Sequence, residues 1–268
     1  MTREQKIIKY AALGLAALLI LGMIWSAISA LSWFFNDEQV TEDLRVVELD
    51  STFNRLDLEL GATSLTVKQG DTLQVETNNS RLSFAVNGNT LSVEEERRSV
   101  FGNSHEAILI LTVPADLVFT EVEIQAGAGK ISVDALSAEH VSLELGAGSV
   151  TFERLNVSGS AEIMGGAGSL EIRDGNIRDL DLEMGVGELI LTAALVGENE
   201  LDCGIGSTDI TLLGAASDYT VSVSKGAGSF KLNGKEVTSG TSSSIGNGAN
   251  QLTVDGGLGD IDITLPAE

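Results

Sequence analysis

The sequence predicts an all-β protein, a β-solenoid or β-roll whose glycine-cornered rungs are about 19 residues long, preceded by one N-terminal transmembrane helix. Three observations support this fold class. A Gly-x-Gly motif recurs at a short, nearly fixed spacing, apolar and polar residues alternate on both sides of it, and one long apolar stretch lies near the N-terminus. A repeat of this length holds two short strands and two turns but no helix, which is typical of stacked β rungs.

The apolar stretch covers residues 10–35 and contains no charged residue. At ~1.5 Å per residue a helix of this length crosses a ~30 Å hydrocarbon core. The flanking charges are Arg3, Lys6 and Lys9 before the stretch, and Asp37, Glu38, Glu42 and Asp43 after it. This asymmetry predicts a single-pass protein of the cell membrane, with residues 1–9 as a cytoplasmic tail and the β domain extracytoplasmic. The alternative is a cleaved signal peptide, but the apolar run is longer than the ~7–15 residues usual for one.

Beyond the apolar stretch, the sequence predicts a linker at residues 36–45, an N-terminal β cap with the first rungs at 46–120 and a repetitive solenoid at 121–268. The cap contains strand-like runs at residues 55–60, 65–68, 72–76, 81–86, 90–94 and 107–113. Their spacing is less regular than that of the later rungs, as in the atypical terminal repeats of solenoids.

Pairs of glycines recur along the predicted solenoid. The first glycines of successive pairs are 19, 20, 19, 19, 22 and 31 residues apart. The apolar alternation resumes one position out of phase after each pair: Leu143 and Leu145 precede one pair, whereas Val150 and Phe152 follow it. Such a slip predicts a corner or bulge, where the backbone needs dihedral angles closed to residues with a Cβ. The small residue between the glycines is expected to fill the corner interior. The predicted corner glycines are Gly127, Gly129, Gly146, Gly148, Gly166, Gly168, Gly185, Gly187, Gly204, Gly206, Gly226, Gly228, Gly257 and Gly259.

Three segments occur in a recognisable order: Leu-Asp-Leu-Glu-Leu-Gly at residues 56–61, Leu-Thr-Val-Pro at 111–114 and Val-Glu-Ile-Gln-Ala-Gly at 122–127. This order resembles the bacterial putative-adhesin, toast-rack-like β-solenoid repeat family, in which an N-terminal membrane anchor is common. The likeness covers residues 46–268. It implies an envelope-located, non-catalytic domain, and the family offers no catalytic residue to carry over.

Composition excludes several function classes. The chain has 39 acidic and 16 basic residues, a formal charge of -23, which repels nucleic acid. One cysteine and two histidines rule out a disulfide framework and structural zinc. Neither His105 nor His140 has an evident nucleophile beside it, and Cys203 shares the inward phase of Leu201. We therefore expect no enzyme activity, no cofactor and no dedicated metal site.

One polar pattern stands out, because outward positions on the strand before each corner are acidic. With rungs ~4.8 Å apart, these carboxylates form columns on one face. The predicted face consists of Glu144, Glu162, Asp181, Glu183, Glu200 and Asp202. Closely spaced like charges favour weak binding of a divalent cation or a cationic partner; the alternative is a solvated face that keeps the domain soluble.

Taken together, these patterns predict a non-enzymatic, membrane-anchored extracytoplasmic module of a bacterial cell envelope, with an adhesive, interaction or structural role. Its expected partners are the membrane, through residues 10–35, and another envelope protein or a cell-wall polymer. One alternative is an envelope-stress sensor or accessory protein that acts through a membrane partner. A second is a polysaccharide-active β-helix enzyme, although both tryptophans, Trp25 and Trp33, lie in the membrane segment.

Overall fold

The computed structural model describes residues 40–49, 53–96, 106–237 and 242–266. These ranges form β-strands, turns and a 3-10 turn at Ala216–Asp218, which confirms the predicted all-β class. The predicted tail and transmembrane helix, residues 1–9 and 10–35, lie outside the described residues, as does His105. A search of the described ranges finds no helix with the length and apolarity needed to cross a membrane.

The strands, in chain order, are β1 (Val40–Val47), β2 (Arg55–Leu60), β3 (Ser64–Gly70), β4 (Gln74–Asn79), β5 (Leu82–Asn87), β6 (Thr90–Glu95), β7 (Ile108–Pro114), β8 (Phe119–Val133), β9 (Leu136–Phe152), β10 (Leu155–Ile172), β11 (Gly175–Arg178), β12 (Leu180–Val196), β13 (Glu198–Leu212), β14 (Tyr219–Ala227), β15 (Phe230–Leu232), β16 (Lys235–Glu236), β17 (Ser242–Gly246) and β18 (Asn250–Thr264). The strand runs predicted between residues 55 and 113 are confirmed, with ends displaced by at most three residues.

Each rung has three sides. In the rung after β8, residues 141–145 form face A, residues 146–148 form the glycine corner, residues 149–152 form face B and residues 155–157 begin face C. Rungs stack in parallel and in register, so that Leu143 pairs with Ile163, Ile163 with Leu182 and Leu182 with Leu201. The sequence predicts only two strands per rung. The prediction misses face C because its strands pair over only three residues, as at residues 155–157 and 175–177.

Glycines are required at the corner for two separate reasons. The second glycine of each pair has φ between +137° and +152°, a region that side chains rarely allow. At the first glycine, a Cβ would come within 2.1–2.8 Å of a carbonyl oxygen on a neighbouring rung. Stacked rungs therefore approach each other too closely at the corner for any side chain at either position.

The residue between the two glycines behaves differently from the prediction. Ala128 is buried, but Ile205 and Leu258 at the same position are 37% and 43% exposed. The expected filling of the corner is therefore wrong at these rungs. The core beside them is already filled by Leu201 and Ile210, which are at most 1% exposed, so a larger side chain at the corner extends into solvent.

Aliphatic columns along the stack form the core. Leu143, Ile163, Leu182, Leu201 and Val254 occupy one register position in successive rungs, and each is 0% exposed. Burying one such side chain contributes ~1.5–3 kcal/mol. Because every rung repeats the column, the core runs the length of the stack and holds face A rigidly.

Both ends of the stack depart from chain order. At one end β6 and β7 stack outside β2 and β3, although they come later in the chain. At the other end β18 is inserted between β13 and the earlier strands β14 and β15. Antiparallel strands cover each end. At the end formed by β6 and β7, β5 pairs with β6, β4 pairs with β7, and β1 pairs with β4. At the end formed by β14 and β15, β17 pairs with β14 and β16 pairs with β15.

The first strand also corrects the predicted linker at residues 36–45. β1 begins at Val40 and pairs with β4, and Arg45 lies opposite Thr77. The polar run at residues 41–43 hides any alternation in the sequence. β1 forms because the edge of β4 offers it hydrogen-bond partners. This is a tertiary effect, which the local sequence pattern does not reveal.

Candidate functional site

The structure places all six residues of the predicted acidic face on face A, in two columns. Glu162, Asp181 and Glu200 occupy one outward position in successive rungs. The second column runs along the outward position nearest the corner and is interrupted by Met164. Its members, in spatial order, are Glu59, Gln125, Glu144, Met164, Glu183, Asp202 and Asp255.

Sequence reasoning missed Glu59 and Asp255 at the two ends of this column. Each follows the same apolar alternation as the other members, in Leu56-Asp57-Leu58-Glu59 and Leu252-Thr253-Val254-Asp255. Alternation marks both residues as outward-facing. Their place in the column depends on the exchanged strand order at the ends of the stack, which local sequence does not show.

A groove runs along the stack between this second column and the glycine corner, with a volume of about 910 Å³. We call it the corner groove. It is lined by Glu59, Leu60, Gly61, Glu95, Gln125, Ala126, Gly127, Glu144, Leu145, Gly146, Met164, Gly165, Gly166, Glu183, Met184, Gly185, Asp202, Cys203, Gly204 and Asp255. The lining contains acidic, aliphatic, thioether, thiol and amide groups, and neither a basic nor an aromatic side chain.

One acidic residue beside the groove, Glu95, pairs with Arg81 at 3.2 Å, and most of the others have no basic partner within the described ranges. Glu144, Glu183, Asp202 and Asp255 form no ion pair there, whereas carboxylates elsewhere on the rungs do. Next to face B, Arg154 pairs with Asp174 at 2.8 Å, and Arg173 pairs with both Glu153 and Glu171. The hydrogen bond from Arg173 lowers the pKa of Glu171. Arginines thus compensate part of the negative charge beside face B, and no arginine or lysine in the described ranges does so for Glu144, Glu183, Asp202 and Asp255.

Three carboxylates come closest to a metal site. One oxygen each from Glu200, Asp202 and Asp255 lies within 4.8 Å of the others. Calcium takes six to eight oxygen ligands at ~2.3–2.6 Å, and these three largely exposed side chains supply only part of such a set. The arrangement fits a loosely held cation, or an ammonium or guanidinium group that contacts two carboxylates at once.

Face A is electrostatically strained nearer its other end, at Asp57. Burial raises the pKa of this carboxyl, and the negative charges of Glu123 and Glu59 raise it further, against a hydrogen bond with Ser92. Asp57 lies opposite both Ser92 and Glu123 in the ladder. Repulsion between carboxylates of this face thus adds to the effect of burial at Asp57.

The expectation that neither histidine adjoins a nucleophile is wrong for His140. Its Nδ1 lies 3.0 Å from the hydroxyl of Ser160, in the next rung, and its Nε2 lies 3.8 Å from Glu139. The second distance exceeds that of a hydrogen bond, and the side chains of His140 and Glu139 are 52% and 57% exposed. None of these residues lines the corner groove.

Cys203 is half-buried at the groove, where its side chain packs partly against the core. Burial raises the pKa of its thiol. A thiol in this environment stays protonated at neutral pH and is a poor nucleophile. Its packing agrees with the interpretation of Cys203 as a small apolar residue.

A search of solved structures finds chains that are similar to this one over most of its length. A putative cell adhesion protein from Clostridium sporogenes is 14% identical, with 85% of this chain and 100% of that chain covered and a TM-score of 0.35. A putative adhesin from Bacteroides fragilis is 12% identical over 85% and 100%, with a TM-score of 0.41. A putative lipid binding protein from Parabacteroides distasonis is 15% identical over 87% and 98%, with a TM-score of 0.32.

A search of curated proteins finds no match to this chain. The sequence model of one family, described as Toastrack DUF4097, matches residues 68–264. That range extends from β3 to the end of β18 and so includes every glycine corner from Gly127 onward. The chain therefore belongs to the Toastrack DUF4097 family.

Proposed function

We propose that this protein is a non-enzymatic binding module of a bacterial cell envelope, which recognises a partner through face A and the corner groove. The observation that carries the proposal is the column of carboxylates along the corner groove. Glu144, Glu183, Asp202 and Asp255 have no arginine or lysine partner in the described ranges, whereas Glu153, Glu171 and Asp174 beside face B are paired with arginines. Unpaired charges in fixed columns offer a partner several contacts that need no rearrangement.

A photo-crosslinking residue in the full-length chain tests this assignment in cells. We would place it at position 183, on the wall of the corner groove, and in a matched variant at position 209, on face B of the next rung. Specific adducts from position 183 that are absent from position 209 are expected. Adducts of equal yield at both positions, or none at either, would contradict a role for face A.

The proposal includes an anchor at residues 10–35 with the β domain outside the cytoplasm. The supporting observations are the charge-free apolar stretch and the basic residues that precede it. Protease added to intact cells freed of their wall should remove an epitope tag at the C-terminus and spare a tag at the N-terminus. Protection of the C-terminal tag would contradict this orientation.

The absence of enzymatic activity is also part of the proposal. The groove lining includes carboxylates but no aromatic side chain on which a sugar ring could stack. We expect no release of reducing ends when the purified chain is incubated with envelope polysaccharides. Turnover that is lost in Glu183→Gln would favour the polysaccharide-active alternative instead.

A further inference from the structure

The dimensions of the corner groove indicate the shape of its ligand. The second column from Glu59 to Asp255 contributes one position per rung, which at ~4.8 Å per rung gives a length of about 29 Å. The groove-lining residues extend over the whole of that length, so the groove is an elongated site. An elongated site of this length suits an extended polypeptide segment, whose residues each advance ~3.3 Å.

The two borders of the groove differ in chemistry. One border is the second column, with its unpaired carboxylates. Beyond the glycines on the other side, Val186, Ile205 and Leu258 follow one another in successive rungs, and the latter two are 37% and 43% exposed. Exposed side by side, Ile205 and Leu258 offer a small apolar surface that a partner could cover.

An extended chain points successive side chains to opposite sides. A segment in the groove that alternates basic and aliphatic residues would direct its cations towards the column and its aliphatic groups towards the ridge at Ile205 and Leu258. A second copy of this chain is a poor occupant, because each copy carries a formal charge of -23. An anionic lipid surface is repelled for the same reason.

We propose that the corner groove binds an extended segment of a partner protein, about eight or nine residues long at ~3.3 Å per residue, in which Lys or Arg alternates with aliphatic residues. This inference rests on the proposed function, because it names the chemistry of the partner at the same site. Lysine and arginine suit the site doubly, since their apolar stems can cover Leu145 and Met184 while their charged ends reach the carboxylates.

The test measures binding of synthetic peptides to the full-length chain in nonionic detergent, by fluorescence anisotropy. The probe is a nine-residue peptide that alternates Lys and Val, and its control alternates Lys and Ser. The groove variant is Asp202→Asn with Asp255→Asn. The matched variant is Asp209→Asn with Asp262→Asn, which makes the same change on face B of the same two rungs.

We expect saturable binding of the Lys/Val peptide that is tighter than binding of the Lys/Ser peptide. The groove variant should weaken it about fivefold or more, and the face B variant by no more than about twofold. Ile205→Ser with Leu258→Ser should weaken binding of the Lys/Val peptide alone. Equal losses in the two aspartate variants would mean non-specific charge attraction and would overturn the proposal, as would the absence of saturable binding.

Two further results distinguish this inference from self-association through the groove and from the proposed function alone. A dimer of the unmodified chain that dissociates in the groove variant, measured by sedimentation velocity, would assign the groove to a second copy and overturn the peptide proposal. Crosslinks from position 183 without peptide binding would overturn the proposed chemistry and leave the assignment of face A intact.

Discussion

Glu95 closes the first glycine corner by binding Gly61: the Oε2 atom of Glu95 accepts the main-chain N–H of Gly61 at 2.7 Å. The same atom accepts the N–H groups of Ala62 and Thr63 at 3.1 and 3.3 Å. In the next rung the main chain does this, because the N–H of Ala128 donates to the carbonyl of Gly61 at 2.8 Å. The Glu95 carboxylate thus replaces the corner that a further rung would supply.

Removing this carboxylate should destabilise the end of the stack. Arg81 also pairs with Glu95 at 3.2 Å, and the Glu95 side chain is only 5% exposed. Glu95→Ala leaves three N–H groups without this acceptor and takes a charge away from Arg81, so we expect a loss of about 2–4 kcal/mol. Glu95→Gln keeps an acceptor oxygen and should lose less. Urea titration of both variants measures the difference, and equal losses would show that the hydrogen bonds contribute little.

A side chain at a corner glycine should be far more costly than one at an open glycine. At Gly187 a Cβ would lie 1.7 Å from the carbonyl oxygen of Gly168, and φ is +151°. Gly88 also has a positive φ, +62°, but a Cβ there meets nothing within 4 Å. We expect Gly88→Ala to cost about 1 kcal/mol and Gly187→Ala to cost more than ~3 kcal/mol. Thermal unfolding followed by circular dichroism compares the two, and similar melting temperatures would contradict the steric argument.

A buried asparagine joins three rungs. Asn199 is 3% exposed. Its Oδ1 accepts the N–H of Leu180 at 3.1 Å, and its Nδ2 donates to the carbonyl of Gln251 at 2.9 Å. We expect Asn199→Leu to cost about 2–4 kcal/mol, despite the aliphatic residues at this position in other rungs, because both main-chain groups lose their side-chain partner in a dry core.

Asn156 provides the matched control for this prediction. Its Oδ1 likewise accepts an N–H from the neighbouring rung, that of Asn176 at 3.2 Å, but in an exposed setting. Water can replace that acceptor, so Asn156→Leu should cost less than about 1 kcal/mol. If the two variants unfold at the same urea concentration, burial does not govern the contribution of these bonds.

The raised pKa of Asp57 predicts a specific pH dependence. Because the folded protein binds this proton more readily than the unfolded chain does, the free energy of unfolding falls as pH rises through the titration of Asp57 and stays lower above it. Asp57→Asn should therefore stabilise the protein at neutral pH, by about 1–2 °C in Tm for this partly exposed group. The gain should vanish below the usual aspartate pKa of ~3.9.

A second variant checks the cause of that shift. Glu123 lies opposite Asp57 and is the charge that raises its pKa most. Glu123→Gln should therefore produce part of the same stabilisation at neutral pH. A gain in Asp57→Asn that persists unchanged at acid pH would show that the charge of Asp57 is not responsible.

Much of the rung could be predicted because its causes are local. Alternation about Leu143 defines face A, and the phase change before Val150 marks the corner. The stacking order at the ends could not be predicted, because β2 alternates in the same way whether its neighbour is β6, β8 or both. Face C also escaped prediction, since three residues such as 155–157 are too few for a periodic signal.

The candidate site was predictable only in part, for the same physical reason. Outward carboxylates such as Glu183 can be identified from alternation, and a regular period then places them in columns. Asp255 belongs to the same column through the insertion of β18 beside β13, which is a long-range event. The exposed ridge at Ile205 was hidden because its place in the chain suggests an inward direction that the turning backbone reverses.

Because antiparallel strands cover both ends of the stack, the length of the stack depends on the number of rungs between them. In the described ranges, both ends of the stack consist of strands exchanged in order and covered by antiparallel partners. A rung is most easily gained or lost in the interior, between β8 and β13, where neighbours are nearly identical in register. Each such change would lengthen or shorten the groove by one ~4.8 Å step, so the number of rungs would set the length of the segment that the proposed site could hold.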